Sequence, residues 1–539
     1  MIVGAVIVGV VAVLALGVVS QTTSFRDWLR REVVQRTNTG IAGRLAIGRL
    51  DGNLLGRLVA TDVRLTFEGQ RVLAVRRLAA AYDVWTLLRG GPLRITALDL
   101  DGVALQLIAD ERGWNVERLA PPTPNEPERS LTVDLEQVRI ADGAVRVIQP
   151  GRAWRVRDLA LAGVARFESH GFGLTIERSA FLEQRSQVHV EQLEGRLAVD
   201  EATGIIADGL RLRTTGSDLT LAARVGPPSA RSVDANVQVT RLLGAELRAL
   251  FGERAPRADW RGELRASGPE NAVAVTGDVR AERTRDDATE SVGRVRVSGT
   301  LDVRSGAPGG EVTVDIDQVD FEGIVGPQLP PSELTGRVRL TVPPETPPSV
   351  RFALDLRAPR VGEVHLDTLA LTGTADAETV RFEGEATAPG GAAHLQATIA
   401  PKTETYDLRV VAKDLDPGAL AGRAELAGRL NGTLTATGTG FTPETARSQL
   451  EVALTPSHLG RVTIANGSVH AQAERGRLIV EKASVTSNVG TADIAGEIAL
   501  GEDAVPSAGG LRGTVRVTDL RPLGELLARP AARGAGTLT

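Results

Sequence analysis

From Leu45 onward, apolar and polar residues alternate along the chain with a period of two. Leu78, Ala80, Tyr82 and Val84 share one parity, as do Val103, Leu105 and Leu107, then Leu131, Val133 and Leu135. The alternation returns in Val312, Val314 and Ile316, in Val338, Leu340 and Val342, in Phe352, Leu354 and Leu356, and in Leu450, Val452 and Leu454. Successive side chains of a strand point to opposite faces, so this pattern predicts antiparallel strands with one apolar and one wetted face. Asp142-Gly143, Asn431-Gly432, Asn466-Gly467 and Pro389-Gly390-Gly391 supply the turn residues that hairpins need.

Helical spacing is confined to short stretches. Phe25 to Thr37 places Phe25, Trp28, Leu29 and Val33 on one side; Trp85 to Arg89, Leu242 to Phe251 and Pro443 to Arg447 predict one to three turns each. None is long enough to cover a sheet. Roughly 35 strands at about 4.8 Å each would extend roughly 170 Å if they formed a single sheet. The apolar face must be hidden from water. Serial β-sandwiches hide it by covering one sheet with another. A long antiparallel sheet curled into an open hydrophobic groove hides it by holding acyl chains. The alternation leaves both open, and the scarcity of rings (ten Phe, five Trp, two Tyr) leans toward the groove, because sandwich cores commonly use aromatics as filling.

A loose repeat is also visible. Val239-Thr240-Arg241-Leu242, Ala412-Lys413-Asp414-Leu415 and Val517-Thr518-Asp519-Leu520 each open a stretch of small residues. Gly262-Glu263-Leu264, Gly432-Thr433-Leu434 and Gly536-Thr537-Leu538 follow them. The copies are unevenly spaced, which predicts a recurring strand, short helix, strand module rather than a fixed-period solenoid.

The first nineteen residues are aliphatic apart from Met1 and Gly4, Gly9 and Gly17, and the first charge is Arg26. At about 1.5 Å per residue, about 20 such residues cross a hydrocarbon core of about 30 Å. The segment lacks the basic start and the shorter apolar run of a cleaved signal peptide. Residues 1–24 are therefore expected to be a transmembrane helix, with Ile2, Val6, Val10, Leu14 and Val18 in the bilayer and Trp28 at the interface. No second spanning segment follows, so the β-rich remainder is expected on one side of the membrane. Pro121-Pro122-Thr123-Pro124-Asn125-Glu126-Pro127 marks a linker over 121–129, between a unit at 25–120 and the strands of 130–539.

Composition narrows the chemistry. A net charge of -5 and few rings argue against binding nucleic acid, which asks for a basic face or stacking platforms. Without cysteine there is no disulfide, thiolate ligand or thiol nucleophile. No nucleophile elbow, phosphate loop, His-Glu-x-x-His or dinucleotide fingerprint occurs. The histidines at 170, 189, 365, 394, 458 and 470 stand singly, and the i, i+2 pairs Asp99/Asp101 and Asp315/Asp317 fit the wetted side of a strand. No catalytic residue, metal site or cofactor is expected, and the chain does not read as an enzyme.

Ile47-Gly48-Arg49-Leu50-Asp51-Gly52-Asn53-Leu54-Leu55-Gly56-Arg57-Leu58, then Asp62-Val63-Arg64-Leu65 and Tyr82-Asp83-Val84-Trp85-Thr86-Leu87-Leu88-Arg89-Gly90, resemble the start of the TamB (translocation and assembly module) family, part of the AsmA-like group of Gram-negative envelope proteins. The likeness covers the first 120 residues, and Gly432 to Gly440 resembles the AsmA-like repeat; elsewhere it is one of pattern. It implies a tapered β-groove with an N-terminal transmembrane helix, single-pass in the inner membrane and projecting through the periplasm. It implies phospholipids as cargo, carried between inner and outer membrane. The alternative it offers is a scaffold for assembly or translocation of outer-membrane β-barrel proteins, through an outer-membrane barrel partner of the TamA/BamA type. Such proteins are longer and end in a C-terminal domain with no counterpart here, and the strand begun at Gly536 stops short, so this chain is expected to be the N-terminal portion of a longer protein. With a groove, period two places Val312, Val314, Ile316, Val338, Leu340, Val342, Phe352, Leu354, Leu356, Leu450, Val452 and Leu454 on its floor, and Asp315, Arg339, Asp355 and Glu451 outside.

Overall fold

Alternation of the side chains is realised as long hairpins. The structure, a computed structural model, describes residues 23–538 except 54–55, 84–85, 87–92, 111, 120–131, 169–170, 254, 286–287, 305–308, 328, 344–348, 389, 423–425, 443–444, 475, 500–509, 520, 522–533 and 535. Contacts divide the chain into two units, Met1–Pro269 and Glu270–Thr539.

The first unit begins with helix α1 (Thr23–Gly40), longer at both ends than the spacing of its apolar residues predicts. Trp28 on it is half exposed, with its ring 5.3 Å from that of Phe25. Ile2, Val6, Val10, Leu14 and Val18 lie outside the described residues, and among the described residues no helix is long and apolar enough to cross a membrane. Strands β1 (Arg44–Asn53), β2 (Arg57–Phe67), β3 (Gln70–Tyr82) and β4 (Leu93–Asp110) pair in sequence, all antiparallel.

The next pairing departs from the predicted pattern. After β5 (Gly113–Trp114) and a 3-10 turn at Glu117–Leu119, β6 (Val133–Gln149) lies parallel to β4, with Leu98 opposite Val138 and Leu105 opposite Val145. Two devices hold this crossover. Asn115, 4% exposed, accepts the Ile108 N–H at 3.0 Å and donates to the Gln106 carbonyl at 3.0 Å, standing in for a strand partner. Leu119 is buried with Phe67 and Val72. The proline-rich segment 121–129 lies outside the described residues.

From β6 the chain returns to antiparallel hairpins through β7 (Arg152–Glu168), β8 (Gly171–Glu183), β9 (His189–Asp200), β10 (Gly204–Thr214), β11 (Asp218–Val225), β12 (Ser232–Leu242) and β13 (Asp259–Pro269). Helix α2 (Gly244–Phe251) joins the last two, inside the predicted 242–251 stretch. Its Glu246 accepts hydrogen bonds from the Thr214 and Ser217 hydroxyls and the Gly216 N–H, fastening the helix to the β10–β11 turn.

The second unit is antiparallel throughout. Its strands are β14 (Val273–Arg285), β15 (Ala288–Asp302), β16 (Gly309–Val319), β17 (Ser332–Val342), β18 (Val350–Val361), β19 (Val364–His365), β20 (Thr368–Ala375), β21 (Val380–Ala388), β22 (Gly391–Ala400) and β23 (Thr405–Leu415). There follow β24 (Gly428–Thr439), β25 (Arg447–Leu454), β26 (Ser457–Leu459), β27 (Val462–Glu474), β28 (Arg477–Ser487), β29 (Gly490–Ala499), β30 (Leu511–Val517) and β31 (Gly536–Leu538). Each long strand pairs with the next, so the described strands of this unit form one sheet rather than facing pairs of sheets. Serial sandwiches, the other arrangement open to the pattern, are not formed by these described strands, because they belong to a single sheet.

Short helices follow the first two copies of the repeat, the residues after the third, 522–533, lie outside the described residues, and one further helix stands where the repeat does not place it. Register slips at Val239/Leu242 and at Ala412/Leu415, just before α2 and before α4 (Pro417–Ala421). The same slip at Ile316/Val319 precedes α3 (Phe321–Val325), a copy hidden in the sequence because Val319 replaces the leucine. Asp320 accepts the N–H groups of Glu322 and Gly323, both at 3.1 Å, and that of Ser332 at 3.0 Å. Asp416 repeats the arrangement with Gly418, Ala419 and Gly428, at 2.9, 3.2 and 3.1 Å. One carboxylate therefore caps each helix and also holds the first residue of the next strand. At Pro443 to Arg447 only a turn is described, with the Ala446 N–H on the Thr442 carbonyl at 2.8 Å.

Candidate functional site: a one-sided apolar face

Residues directly opposite one another on paired strands project to the same face. Register thus decides whether the apolar positions of separate strands meet. In the second unit they do. Starting at Gly277 of β14, the opposed residues run Val297, Val314, Val338, Leu354, Leu371, Gly384, Leu395, Val410, Leu434, Val452, Val469, Ala483, Ile494 and Gly513. No polar side chain breaks this row from β14 to β30.

The rows on either side are equally apolar. One carries Val312, Leu340, Phe352, Gly373, Phe382 and Ala397 on to Leu450 of β25, and the other carries Ile316, Gly336, Leu356, Leu369 and Ala386 on to Leu454. Val342 stands opposite Gly310. All twelve predicted floor residues thus share one face of one sheet. The prediction left out Leu369, Leu371, Leu395, Leu408, Val410 and Leu434, whose strands carry the same alternation diluted by alanine and glycine.

Burial separates this face from a sealed core. Of the twelve, only Leu356 is fully buried, and the other eleven are half-buried. A facing sheet would remove them from water altogether. A local closure lies at one set of strand ends, where Ile324 of α3 packs with Val319, Leu334 and Leu356. Along the floor, large residues stand opposite small ones: the Phe352 ring and Phe382 flank Gly373 so closely that a Cβ there would lie 2.6 Å from the ring's Cζ.

The opposite face is ionic. Asp278, Arg296, Asp315, Arg337 and Asp355 stand in one cross-strand row of alternating sign. Arg337 donates to Asp315 at 2.7 Å, Arg339 lies 3.8 Å from Asp355, and His470 lies 3.7 Å from Glu451. The Arg294 guanidinium, bonded to Asp278, holds that carboxyl below the usual range. A shallow depression of about 860 Å³ is lined mostly by residues of this polar side, threonines such as Thr372 and Thr398 beside charged residues such as Arg381 and Asp407. Among the described residues, no group of three metal-binding side chains is present.

The first unit carries a face of the same kind. Ile95, Leu135, Ala165, Leu174, Leu197, Ala207, Ala223, Ala235 and Ala266 form an apolar row from β4 to β13. Near its edge Phe167 and Phe172 stack at 6.5 Å. Comparison of the chain with family models, with curated proteins and with solved structures finds no match.

Proposed function

We propose that this protein is a lipid carrier of the AsmA-like, TamB-related kind, whose sheet curls into an open groove holding phospholipid acyl chains. It is anchored in the inner membrane by residues 1–24 and carries phospholipids through the periplasm between the two membranes. The observation that supports this is the unbroken apolar row from Gly277 to Gly513, half-buried as far as Ile494 and, among the described residues, uncovered by a second sheet. Leaving such a face to water costs about 25 cal/mol per Å² of apolar area. Acyl chains would cover it without any specific polar contact, which suits a surface lacking hydrogen-bonding side chains. Fifteen strands at about 4.8 Å amount to about 70 Å of apolar track measured along the sheet.

Photo-crosslinking residues at 354 and, separately, at 355 test this in cells. Phospholipid adducts at 354 alone are expected. Equal labelling at the two positions, or none at either, rejects the groove.

A further inference from the structure

Where the apolar face of the first unit reaches the strand ends, it is closed by a small polar and aromatic cavity that acyl chains do not call for. Arg152, Trp154 and Val156 alternate onto one side of β7, and Val156 is opposed by Val145 on one neighbour and by Glu183 on the other. Phe251, the last residue of α2, meets Trp154 edge-on at 6.4 Å between ring centroids. A cavity of about 230 Å³ lies between them, lined also by Arg152, Glu183 and Arg185.

Glu183 is 6% exposed, an unusual place for a carboxylate beside valines. Burial pulls its pKa up, but hydrogen bonds from the Ser186 hydroxyl and the Ser186 and Arg155 N–H groups prevail and hold it below the usual range. One oxygen takes both Ser186 donors at 2.6 Å; the other receives the Arg155 N–H at 3.3 Å, the Arg185 N–H adds to the set, and the carboxylate, with about four acceptor sites, keeps acceptor capacity. Fixed negative charge, two rings and the carbonyl end of α2 together favour a cation. Arg152 and Arg185 are exposed at the same cavity, and neither guanidinium forms an ion pair with another described residue. They favour an anion a short way from the cation.

We propose that this cavity is a headgroup site that selects phospholipids bearing an ammonium group, of the ethanolamine class, over anionic phospholipids. Glu183 and the two rings receive the ammonium, the arginines receive the phosphate, and the acyl chains continue along the apolar face from Val145 and Val156. The inference rests on the lipid-carrying reading and adds a choice of headgroup to it.

The purified full chain is incubated with vesicles of equal phosphatidylethanolamine and phosphatidylglycerol, re-isolated, and its bound lipid quantified by mass spectrometry. Wild type is expected to enrich the ethanolamine lipid at least about threefold, the scale of a cation held by rings and a carboxylate. Glu183→Gln keeps the size of the side chain and is expected to return the ratio to that of the vesicles. Should that variant fail to fold, Phe251→Ala, at a 57% exposed position, leaves the Glu183 turn intact and is expected to lower the enrichment about twofold. Wild type that binds lipid at the vesicle ratio, or enrichment untouched by the folded variants, overturns the headgroup site alone. Wild type that retains no phospholipid overturns the carrier reading and the headgroup site with it.

Discussion

Leu354 and Asp355 are neighbours in the chain and face opposite sides of β18: Leu354 is opposed by Val338 and Leu371, Asp355 by Arg337 and Ala370. One peptide unit therefore separates the aliphatic floor from the ionic face, and substitutions at the two positions report on different surfaces. Leu354→Asp places a carboxylate among half-buried aliphatics. On an open floor it is expected to cost about 1–3 kcal/mol and leave the chain folded, because the new charge keeps some access to water; a sealed core would lose about 3–5 kcal/mol. Asp355→Ala loses an exposed pair with Arg339 at 3.8 Å and the attraction of the exposed Arg337, and is expected to stay within about 0.5 kcal/mol of wild type. Urea unfolding of the three proteins checks the difference, and lipid extracted from each is expected to fall only in Leu354→Asp.

Asp320 and Asp416 each serve two elements, since the carboxylate that caps a five-residue helix also accepts the N–H opening the following strand. Such short helices have little stability of their own. Asp320→Ala and Asp416→Ala are each expected to cost about 1–2 kcal/mol, at the upper end for a helix cap because a strand N–H is orphaned too. The residues lie far apart in the meander, so the double variant is expected to show the sum within about 0.5 kcal/mol. Hydrogen exchange at Ser332 and Gly428 is expected to accelerate only in the variant of the matching aspartate.

Much of this architecture can be read from the chain, and what cannot has identifiable causes. Period-two runs such as Val312-x-Val314-x-Ile316 name strands and faces without any coordinates. They do not say which strands are neighbours, so the parallel pairing of β4 with β6 was hidden. It depends on how the crossover folds back, which turns on Asn115 and Leu119, residues that carry no periodic signal. Helix α3 was missed because Val319-Asp320 offers no leucine to match Leu242 and Leu415. The floor positions on β20 to β24 are diluted by small residues, of which Gly373 makes room for Phe352 and Phe382. The cavity at Glu183 needs both a register, Val156 opposite Glu183, and a contact from Phe251 in a distant helix. The first nineteen residues carry the clearest membrane signal in the sequence and lie outside the described structure.

Glu183 gives the stability of the first unit a particular pH dependence. Its folded-state pKa lies below the ordinary glutamate value of about 4.3, so it contributes stability that is fully present above that value and lost as pH falls through the folded pKa. Glu183→Gln removes the charge-assisted hydrogen bonds from Ser186 and Arg155. At neutral pH it is expected to be less stable than wild type by about 1–3 kcal/mol. Below about pH 4.3 the deficit is expected to shrink, because wild type then surrenders the same contribution. Paired urea titrations from pH 7 down into this acid range measure it; a deficit independent of pH would assign the loss to shape rather than charge.

Gly373 tests how tightly the floor is fitted. It stands between Phe352 and Phe382 in one cross-strand row, and a Cβ added there meets the Phe352 Cζ at 2.6 Å, the Phe382 Cβ at 2.9 Å and the Arg381 carbonyl closer still. The ring could swing toward the open side of the face, but the carbonyl belongs to the neighbouring strand and cannot move without disturbing the β20–β21 ladder. Gly373→Ala is therefore expected to destabilise by about 1–3 kcal/mol, even though alanine ordinarily gains over glycine in a strand by reducing the freedom of the unfolded chain. Phe352→Leu in the same background removes the ring contact and leaves the backbone one. Partial recovery in the double variant, read from urea midpoints as a coupling between 352 and 373, is the expected result. Full recovery would mean that the ring alone dictates glycine, and no recovery that the neighbouring strand does.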